Sequence, residues 1–342
     1  MNGNCSTTER KSSERLPDAA RLEHQWKSID WKKAEAEVNR LQTRIAKATQ
    51  EKKWNTVKRL QYLLTHSYYA KVLAVRKVTT NKGKKTPGVD GELWSTPAAK
   101  MRGVLTLTDK GYKAKPLRRV FIEKKGKKAK RPLGIPCMYD RAMQALYALA
   151  LDPVSETTAD TKSFGFRKGR CAQDACEYIF TALSRSFSSQ WVLEGDIKGC
   201  FDHISHDWLI EHIPMDKSVL KQFLKAGFVF QRELFPTDEG TPQGGVISPI
   251  LANMALDGMQ KVLSDRFHTN QLGRVDIRFK NAHKVNLVRY ADDFIVTAAT
   301  KEIAEEAKEI IRDFLQTRGL ELSEEKTVIT HIDDGFDMLG WT

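Results

Sequence analysis

Apolar residues repeat at helical spacing through the first quarter of the chain. Between residues 26 and 80, side chains such as Trp31, Ala34 and Val38 recur every three or four positions, and Lys and Arg occupy the remaining faces. This spacing predicts two amphipathic helices, each with a buried stripe and a basic outer face. Residues 1–25 are polar and show no such period, so we expect them to be disordered.

Short strands replace the helical pattern after a loop rich in Gly, Pro and Lys at residues 81–91. Arg118, Val120 and Ile122 fall on alternate positions, and residues 131–135 form a second strand-like run beyond a strongly basic turn. The arrangement predicts a β-hairpin that carries cations at its tip.

Two adjacent carboxylates interrupt an apolar segment in the last third of the chain. Residues 285–288 and 294–296 predict two short buried strands, with Asp292 and Asp293 in the turn between them. Neighbouring anions repel each other, and burying them is costly without a cation. Mg²⁺ suits such a pair because it prefers hard oxygen ligands. The pair taken alone is equally compatible with an ordinary Asp-Asp turn.

A third carboxylate, Asp196, ends another apolar run that begins at Trp191. Residues 203–213 then predict a helix, with Ser205 as its N-cap. If this strand neighbours the hairpin, Asp196 completes a site for two Mg²⁺ ions, with Mn²⁺ as an alternative. Such a site favours in-line displacement at phosphorus. A lone Asp after a strand is common, so the sequence around Asp196 is needed to assign it a metal-binding role.

Charge is distributed unevenly along the chain. Residues 1–131 hold 33 Lys and Arg against 12 Asp and Glu, whereas the remainder holds 23 against 31. A basic front half beside an acidic second half predicts a protein that binds nucleic acid through phosphate contacts. The five cysteines lack CxxC spacing, and no apolar run could span a bilayer. We therefore expect a cytoplasmic, nucleic-acid-associated bacterial protein without a membrane partner.

Seven sequence blocks resemble, in order, those of group II intron-encoded reverse transcriptases, also called maturases. The blocks are PLRRV to RPLGIP (116–136), DR to SFGFRKGR (140–170), WVLEGDIKGCFD (191–202), GTPQGGVISP (240–249), RYADDF (289–294), LSEEKT (322–327) and MLGW (338–341). The resemblance implies an α+β fold, the fingers and palm of a right-hand polymerase. The palm would be an antiparallel sheet backed by helices. The implied divisions are an RNA-binding helical extension at 26–91, fingers at 92–190 and palm at 191–342.

The same resemblance assigns roles within the catalytic centre. It implies metal binding and catalysis by Asp196, Asp292 and Asp293, with the Ile197 carbonyl as a further metal ligand. Lys130 is an alternative to Arg131, because the hairpin loop is about one residue longer than the commonest family spacing. Phe201 would exclude a ribose 2′-hydroxyl, although a core Phe is the competing interpretation. The residues implied to contact the nucleotide are Arg118, Lys124, Arg131, Phe201, Gln243 and Lys326.

RNA contacts are implied in two further places. The basic loop after the helical extension and the SFGFRKGR block each combine cations with glycines, and the block adds two aromatic rings suited to stacking. The implied contacts are Lys82, Lys84 and Lys85 in the loop, and Phe164, Arg167, Lys168 and Arg170 in the block. For Phe164, packing in the core is an equal alternative.

The function implied by the resemblance is RNA-directed DNA synthesis by a group II intron protein that also binds intron RNA for splicing and mobility. Its partners would be intron and template RNA, a DNA primer and dNTPs. The alternatives are a maturase platform without polymerisation, or a retron, diversity-generating or CRISPR-associated reverse transcriptase. The family normally continues into a thumb after its seventh block, whereas this chain stops at Thr342. We therefore expect a fragment with weak processivity and a surface that favours a homodimer.

Overall fold

The computed structural model describes residues 19–123, 130–185 and 187–339 of the chain. Helices dominate the first part and recur between the strands of the second. The helices are α1 (Ala19–Lys27), α2 (Trp31–Gln50), α3 (Trp54–His66), α4 (Tyr68–Thr80), α5 (Pro97–Thr106), α6 (Met138–Thr158), α7 (Ala172–Leu183), α8 (Cys200–His203), α9 (His206–His212), α10 (Lys217–Leu224), α11 (Ser248–Leu256), α12 (Met259–Phe267), α13 (Ile277–His283) and α14 (Lys301–Gln316). The strands are β1 (Leu117–Glu123), β2 (Lys130–Ile135), β3 (Trp191–Asp196), β4 (Phe228–Phe230), β5 (Glu233–Phe235), β6 (Asn286–Tyr290), β7 (Asp293–Ala298) and β8 (Val328–His331).

The N-terminal helices follow the predicted apolar stripe, with two corrections. The expected disorder of residues 1–25 is wrong for residues 19–25, because they form most of α1 and bury Leu22. Residues 1–18 lie outside the described part. The second predicted helix is two helices, because Ser67 adopts an extended backbone between α3 and α4.

Two four-stranded sheets follow. The first, which we call the fingers sheet, has the strand order β2-β1-β4-β5, and its β1–β2 pair is the predicted hairpin with Arg118 opposite Ile135. The second, the palm sheet, has the order β6-β7-β3-β8, and all of its neighbours are antiparallel. Helix α14 packs against β3 and β7, and α7 packs against β6. The predicted α+β class, with a helix-backed antiparallel palm sheet, is confirmed.

One hydrophobic core joins these parts through α6, which packs against α2, α4 and α11. The buried side of α6 includes Met143, Leu146 and Leu151. This core contains residues from both sides of the predicted boundary near residue 91. The division into extension, fingers and palm remains a prediction. No helix in the described ranges is long and apolar enough to cross a membrane.

Candidate active site

The palm sheet brings the three aspartates together at one edge. Asp196 is the last residue of β3 and Asp293 is the first of β7, and the two lie opposite each other in the antiparallel register. Asp292 precedes Asp293 in the β6–β7 turn and follows Ala291, whose φ of 59° is in the left-handed region. The sequence pattern of two strands around an Asp pair, beside a third strand, thus places the carboxylates as expected.

A buried arginine holds the turn that carries Asp292. The Arg289 side chain is fully buried and donates to the Ala291 carbonyl at 3.2 Å and to Asn253 Oδ1 at 3.1 Å. It also pairs with Asp257 Oδ1 at 2.7 Å. A left-handed backbone at a residue other than glycine is unfavourable unless its surroundings fix it. We attribute the Ala291 conformation to this network, which links the turn to α11.

Electrostatic repulsion is concentrated at the aspartates. Burial, followed by the neighbouring Asp292 and Asp196 carboxylates, raises the pKa of Asp293 to about 6. Burial and Asp196 also raise the pKa of Asp292. The Lys326 ammonium lies 2.7 Å from Asp196 Oδ2, and that hydrogen bond raises the pKa of Lys326. The site therefore favours a positive charge among the three carboxylates.

The aspartates line a cleft of about 610 Å³ between the two sheets. Most of the residues expected to contact a nucleotide line it too. Arg131 and Lys130 are consecutive on β2, so their side chains point to opposite faces, and only Arg131 lines the cleft. The predicted residues that the cleft brings together are Asp196, Ile197, Asp292, Asp293, Arg131, Phe201, Gln243 and Lys326.

The floor of the cleft contains an aromatic pair that includes an unpredicted residue. Phe166 lies edge-to-face with Phe201, with ring centroids 5.9 Å apart, and it is 56% exposed. Its backbone is left-handed, with a φ of 60°, and its side chain lines the cleft. A Cβ on Gly165 would lie 2.3 Å from the Ala291 nitrogen, so the glycine permits the loop to contact the catalytic turn. The flanking glycines in SFGFRKGR were the available signal for this close approach.

Several predicted contacts do not face the cleft or a free surface. Phe164 packs in a second core cluster with Val288 and Ile295, so its predicted stacking on template is wrong. Arg167 is likewise corrected, because its buried guanidinium pairs with Glu156 at 2.7 Å.

The remaining cations of that block have structural partners. Arg170 donates to the Thr161 and Ser163 carbonyls, and Lys168 forms an ion pair with Asp152. Asp152 offsets the charge of Lys168, and the two carbonyls hold the Arg170 guanidinium against its own loop.

Three predicted residues lie elsewhere or cannot be placed. Arg118 on β1 is not among the described residues that line the cleft, so its predicted triphosphate contact lacks support. Lys124 lies outside the described residues. By contrast, the basic loop is exposed as expected, with Lys82, Lys84 and Lys85 on one 3-10 helix.

The donor types in the cleft fit Mg²⁺, which prefers carboxylate and carbonyl oxygens. In the described ranges, however, no three His, Cys, Asp or Glu side chains are spaced to hold a metal ion in this conformation. In the same conformation the Lys326 ammonium donates to Asp196 Oδ2. The Asp196 carbonyl is also engaged, by the Ser323 N–H at 2.8 Å. The antiparallel bridge between Ile197 and Leu322 is formed by the residues on either side of them, because the Lys198 N–H donates to the Glu321 carbonyl and the Ser323 N–H to the Asp196 carbonyl. The Ile197 carbonyl takes no part in these two hydrogen bonds.

Two family models match this chain, one over its N-terminal helices and one over most of the rest. Residues 122–342 match the family described as reverse transcriptase (RNA-dependent DNA polymerase). Residues 26–107 match the N-terminal domain of reverse transcriptase. The chain belongs to the reverse transcriptase family. The family match covers every residue of the candidate active site.

Named relatives of this reverse transcriptase include intron-encoded proteins, which confirms the resemblance seen in the seven blocks. The group II intron-encoded protein LtrA of Lactococcus lactis subsp. cremoris is 31% identical over 87% of this chain and 58% of its own length. Protein YkfC of Escherichia coli (strain K12) is 32% identical over 83% of this chain and 82% of its own. The putative COX1/OXI3 intron 1 protein of Saccharomyces cerevisiae is 28% identical over 76% of this chain and 36% of its own. The chain thus spans little more than half the length of LtrA.

Proposed function

We propose that this chain is an RNA-directed DNA polymerase whose catalytic centre is Asp196, Asp292 and Asp293. The observation that carries the proposal is the meeting of the three carboxylates at one edge of the palm sheet. They share their cleft with Arg131 and Lys326, which are suited to a triphosphate. Membership of the reverse transcriptase family supports the same reaction.

The carboxylates, with the Ile197 carbonyl, would hold two Mg²⁺ ions, or Mn²⁺ in their place. When bound, such ions supply activation of the primer 3′-hydroxyl and stabilisation of the leaving pyrophosphate. In the present conformation the Lys326 ammonium is bound to Asp196, so Lys326 must release that oxygen before Asp196 can take part. Once released, its charge is available to the pyrophosphate.

The other cleft residues position the incoming deoxynucleotide. Arg131 offers a planar guanidinium that can hold phosphate oxygens in pairs. Phe201 lines the cleft and lies edge-to-face with Phe166, and a ribose 2′-hydroxyl bound over its ring would collide with it. Gln243 lines the same cleft and donates to Asp202 Oδ2 at 2.9 Å, which orients its amide.

Primer extension on an RNA template with Mg²⁺ tests the catalytic assignment. The Asp292→Ala/Asp293→Ala variant should lose synthesis. Asp333→Ala/Asp334→Ala is the control, because it removes a second adjacent Asp pair, which is exposed and lies outside the cleft. Synthesis by the first variant, or its loss in the control, would contradict the assignment.

Nucleotide choice tests the position of Phe201 separately. Phe201→Ala should raise the incorporation of ribonucleotides relative to deoxynucleotides, because the smaller side chain leaves room for the 2′-hydroxyl. The measurement is the ratio of rUTP to dTTP incorporation on an RNA template. An unchanged ratio would assign Phe201 to core packing alone.

A second function, binding of intron RNA to assist splicing and mobility, is favoured by the basic loop. Lys82, Lys84 and Lys85 are exposed, and none has a carboxylate partner in the part of the chain that the structure describes. Relatives named as intron proteins support the same proposal. Binding of one structured intron RNA should remain selective over a scrambled RNA as salt is raised. If the affinities for the intron RNA and the scrambled RNA fall equally as salt is raised, the loop binds only phosphates in general.

A further inference from the structure

A basic groove lies at the end of β6 that is remote from the aspartates. It has a volume of about 550 Å³ and is formed where the end of α7 meets the end of α13. We call it the α7–α13 groove. Its lining includes Arg185, Phe187, Ser189, Lys280, Lys284 and Asn286. Because β6 runs for five residues from Asn286 towards the catalytic turn, the groove lies about 13–17 Å from Asp292.

The charge of the groove is not neutralised within the protein. Arg185, Lys280 and Lys284 line it, and no Asp or Glu does. In the described ranges none of the three has a carboxylate within ion-pair distance. Cations on nearby α12 behave differently, since Arg266 pairs with Glu306 at 2.6 Å and Lys261 pairs with Asp265. Three unneutralised cations around one concave surface indicate an anionic ligand.

The backbone of Lys284 is fixed in an unfavourable conformation. Its φ is 51°, in the left-handed region that glycine or asparagine usually occupies. Its carbonyl accepts hydrogen bonds from Ser189 Oγ at 2.9 Å, from Thr297 Oγ1 at 2.9 Å and from Asn286 Nδ2 at 3.3 Å. Ser189 and Thr297 are buried, so the turn is attached to the palm sheet. Lys284 is also the C-cap of α13, where a left-handed residue commonly ends a helix, and its ammonium donates to the Ser188 carbonyl at 3.3 Å, along the wall of the groove.

An aromatic ring lies beside the cations. Phe187 is 67% exposed, and the Arg185 guanidinium lies 5.8 Å from its ring centre. A phenylalanine this exposed gains little from folding, so packing does not explain it. Exposed rings beside Lys and Arg are the usual means of binding single-stranded nucleic acid, because every base can stack on them.

We propose that the α7–α13 groove binds single-stranded RNA, with phosphates at Lys280 and Lys284 and a base stacked on Phe187. The site is separate from the catalytic cleft and from the basic loop at Lys82–Lys85. It extends the proposed function by giving the polymerase a second contact with RNA.

Fluorescence anisotropy with a labelled oligo(U) RNA tests this site without requiring polymerisation. Lys280→Gln/Lys284→Gln should weaken binding about tenfold or more. The slope of log affinity against log salt should fall by about 1.4, since each phosphate that is no longer neutralised removes about 0.7. Phe187→Ala should weaken binding about fivefold or more without changing that slope. The matched control is Lys261→Gln/Lys301→Gln, which removes two exposed palm charges that already have carboxylate partners.

The outcomes separate this inference from the proposed function. If the Lys280→Gln/Lys284→Gln variant binds oligo(U) with the affinity and salt slope of wild type, the groove is not an RNA-binding site, whatever primer extension shows. If the wild-type chain fails to extend a primer, the proposed polymerase activity is contradicted. The anisotropy assay still tests whether the groove binds RNA.

The source of the RNA can be distinguished with primer–template duplexes whose single-stranded template overhang differs in length. If the groove holds the template strand, the longer overhang should bind more tightly to wild type but not to Lys280→Gln/Lys284→Gln. If it holds a separate RNA, overhang length should have no effect, and free oligo(U) should still bind less tightly to the variant. Equal binding of every RNA by both proteins would overturn the proposal.

Discussion

The two four-stranded sheets differ in how far they are buried, and each presents a different kind of charge. Five of the six residues of β7 in the palm sheet are buried, whereas one of the seven residues of β1 in the fingers sheet is. The buried sheet carries the aspartates, and the exposed one carries Arg131. Carboxylates that bind an ion directly need positions fixed to within a fraction of an ångström. A cation that attracts a triphosphate acts over a longer distance and tolerates more freedom.

The largest effect should come from an aspartate of the palm sheet. Asp196→Ala should lower primer extension by about 10²- to 10⁴-fold, because it removes a carboxylate from the proposed catalytic centre. Thermal unfolding should change little, because Asp196 is the last residue of β3 and its half-exposed partner Lys326 can turn to solvent. A large drop in melting temperature would instead make Asp196 a structural residue and weaken the contrast between the sheets.

Removing the support beneath the catalytic turn should cost stability as well as activity. Arg289→Met should lower the free energy of unfolding by about 3–5 kcal/mol, because it leaves the Asp257 carboxylate buried without its partner. Urea denaturation measures this loss. The double variant Arg289→Met/Asp257→Leu is the control, because it also removes the stranded charge and should recover part of the stability. If the single and double variants unfold alike, the ion pair does not hold the turn.

A fingers cation should affect substrate binding without affecting stability. Arg131→Gln should lower kcat/KM for the incoming dNTP about tenfold to a hundredfold, as expected when one charge-assisted hydrogen bond is removed. Lys130→Gln is the matched control, because Lys130 lies on the opposite face of β2. Equal effects of the two changes would mean that either cation can serve. A fall in stability with Arg131→Gln would contradict the comparison of the two sheets.

The positions of the aspartates could be predicted because each depends on local pattern. Apolar runs define β3, β6 and β7, and carboxylates at their ends must meet once the strands pair. Phe164 and Phe166 were harder to distinguish, because both flank Gly165 and either could face the cleft. In the structure Phe164 packs in the core and Phe166 lines the cleft, in a loop that approaches Ala291 closely at Gly165.

Other features required tertiary contacts between distant residues. The burial of Arg167 depends on Glu156, which the sequence gives no reason to select as its partner. The α7–α13 groove joins Ser189 to Lys284, 95 positions apart, through a hydrogen bond to a backbone carbonyl. The helical period of residues 19–25 was missed because one buried residue, Leu22, is too short a signal to establish a period.

The smallest effects should come from adding one methyl group to each sheet. A Cβ on Gly195 would lie 2.1 Å from the buried ring of Phe294, which is its partner across the palm sheet. Gly195→Ala should therefore lower the free energy of unfolding by about 1–3 kcal/mol. The same change at Gly134 of the fingers sheet meets Leu117 Cδ1 at 2.9 Å, the end of a side chain that can rotate away. Gly134→Ala should cost less than about 1 kcal/mol. The urea midpoints of the two variants, measured side by side, compare these costs. Equal losses of stability would show that the fingers sheet is packed as rigidly as the palm sheet.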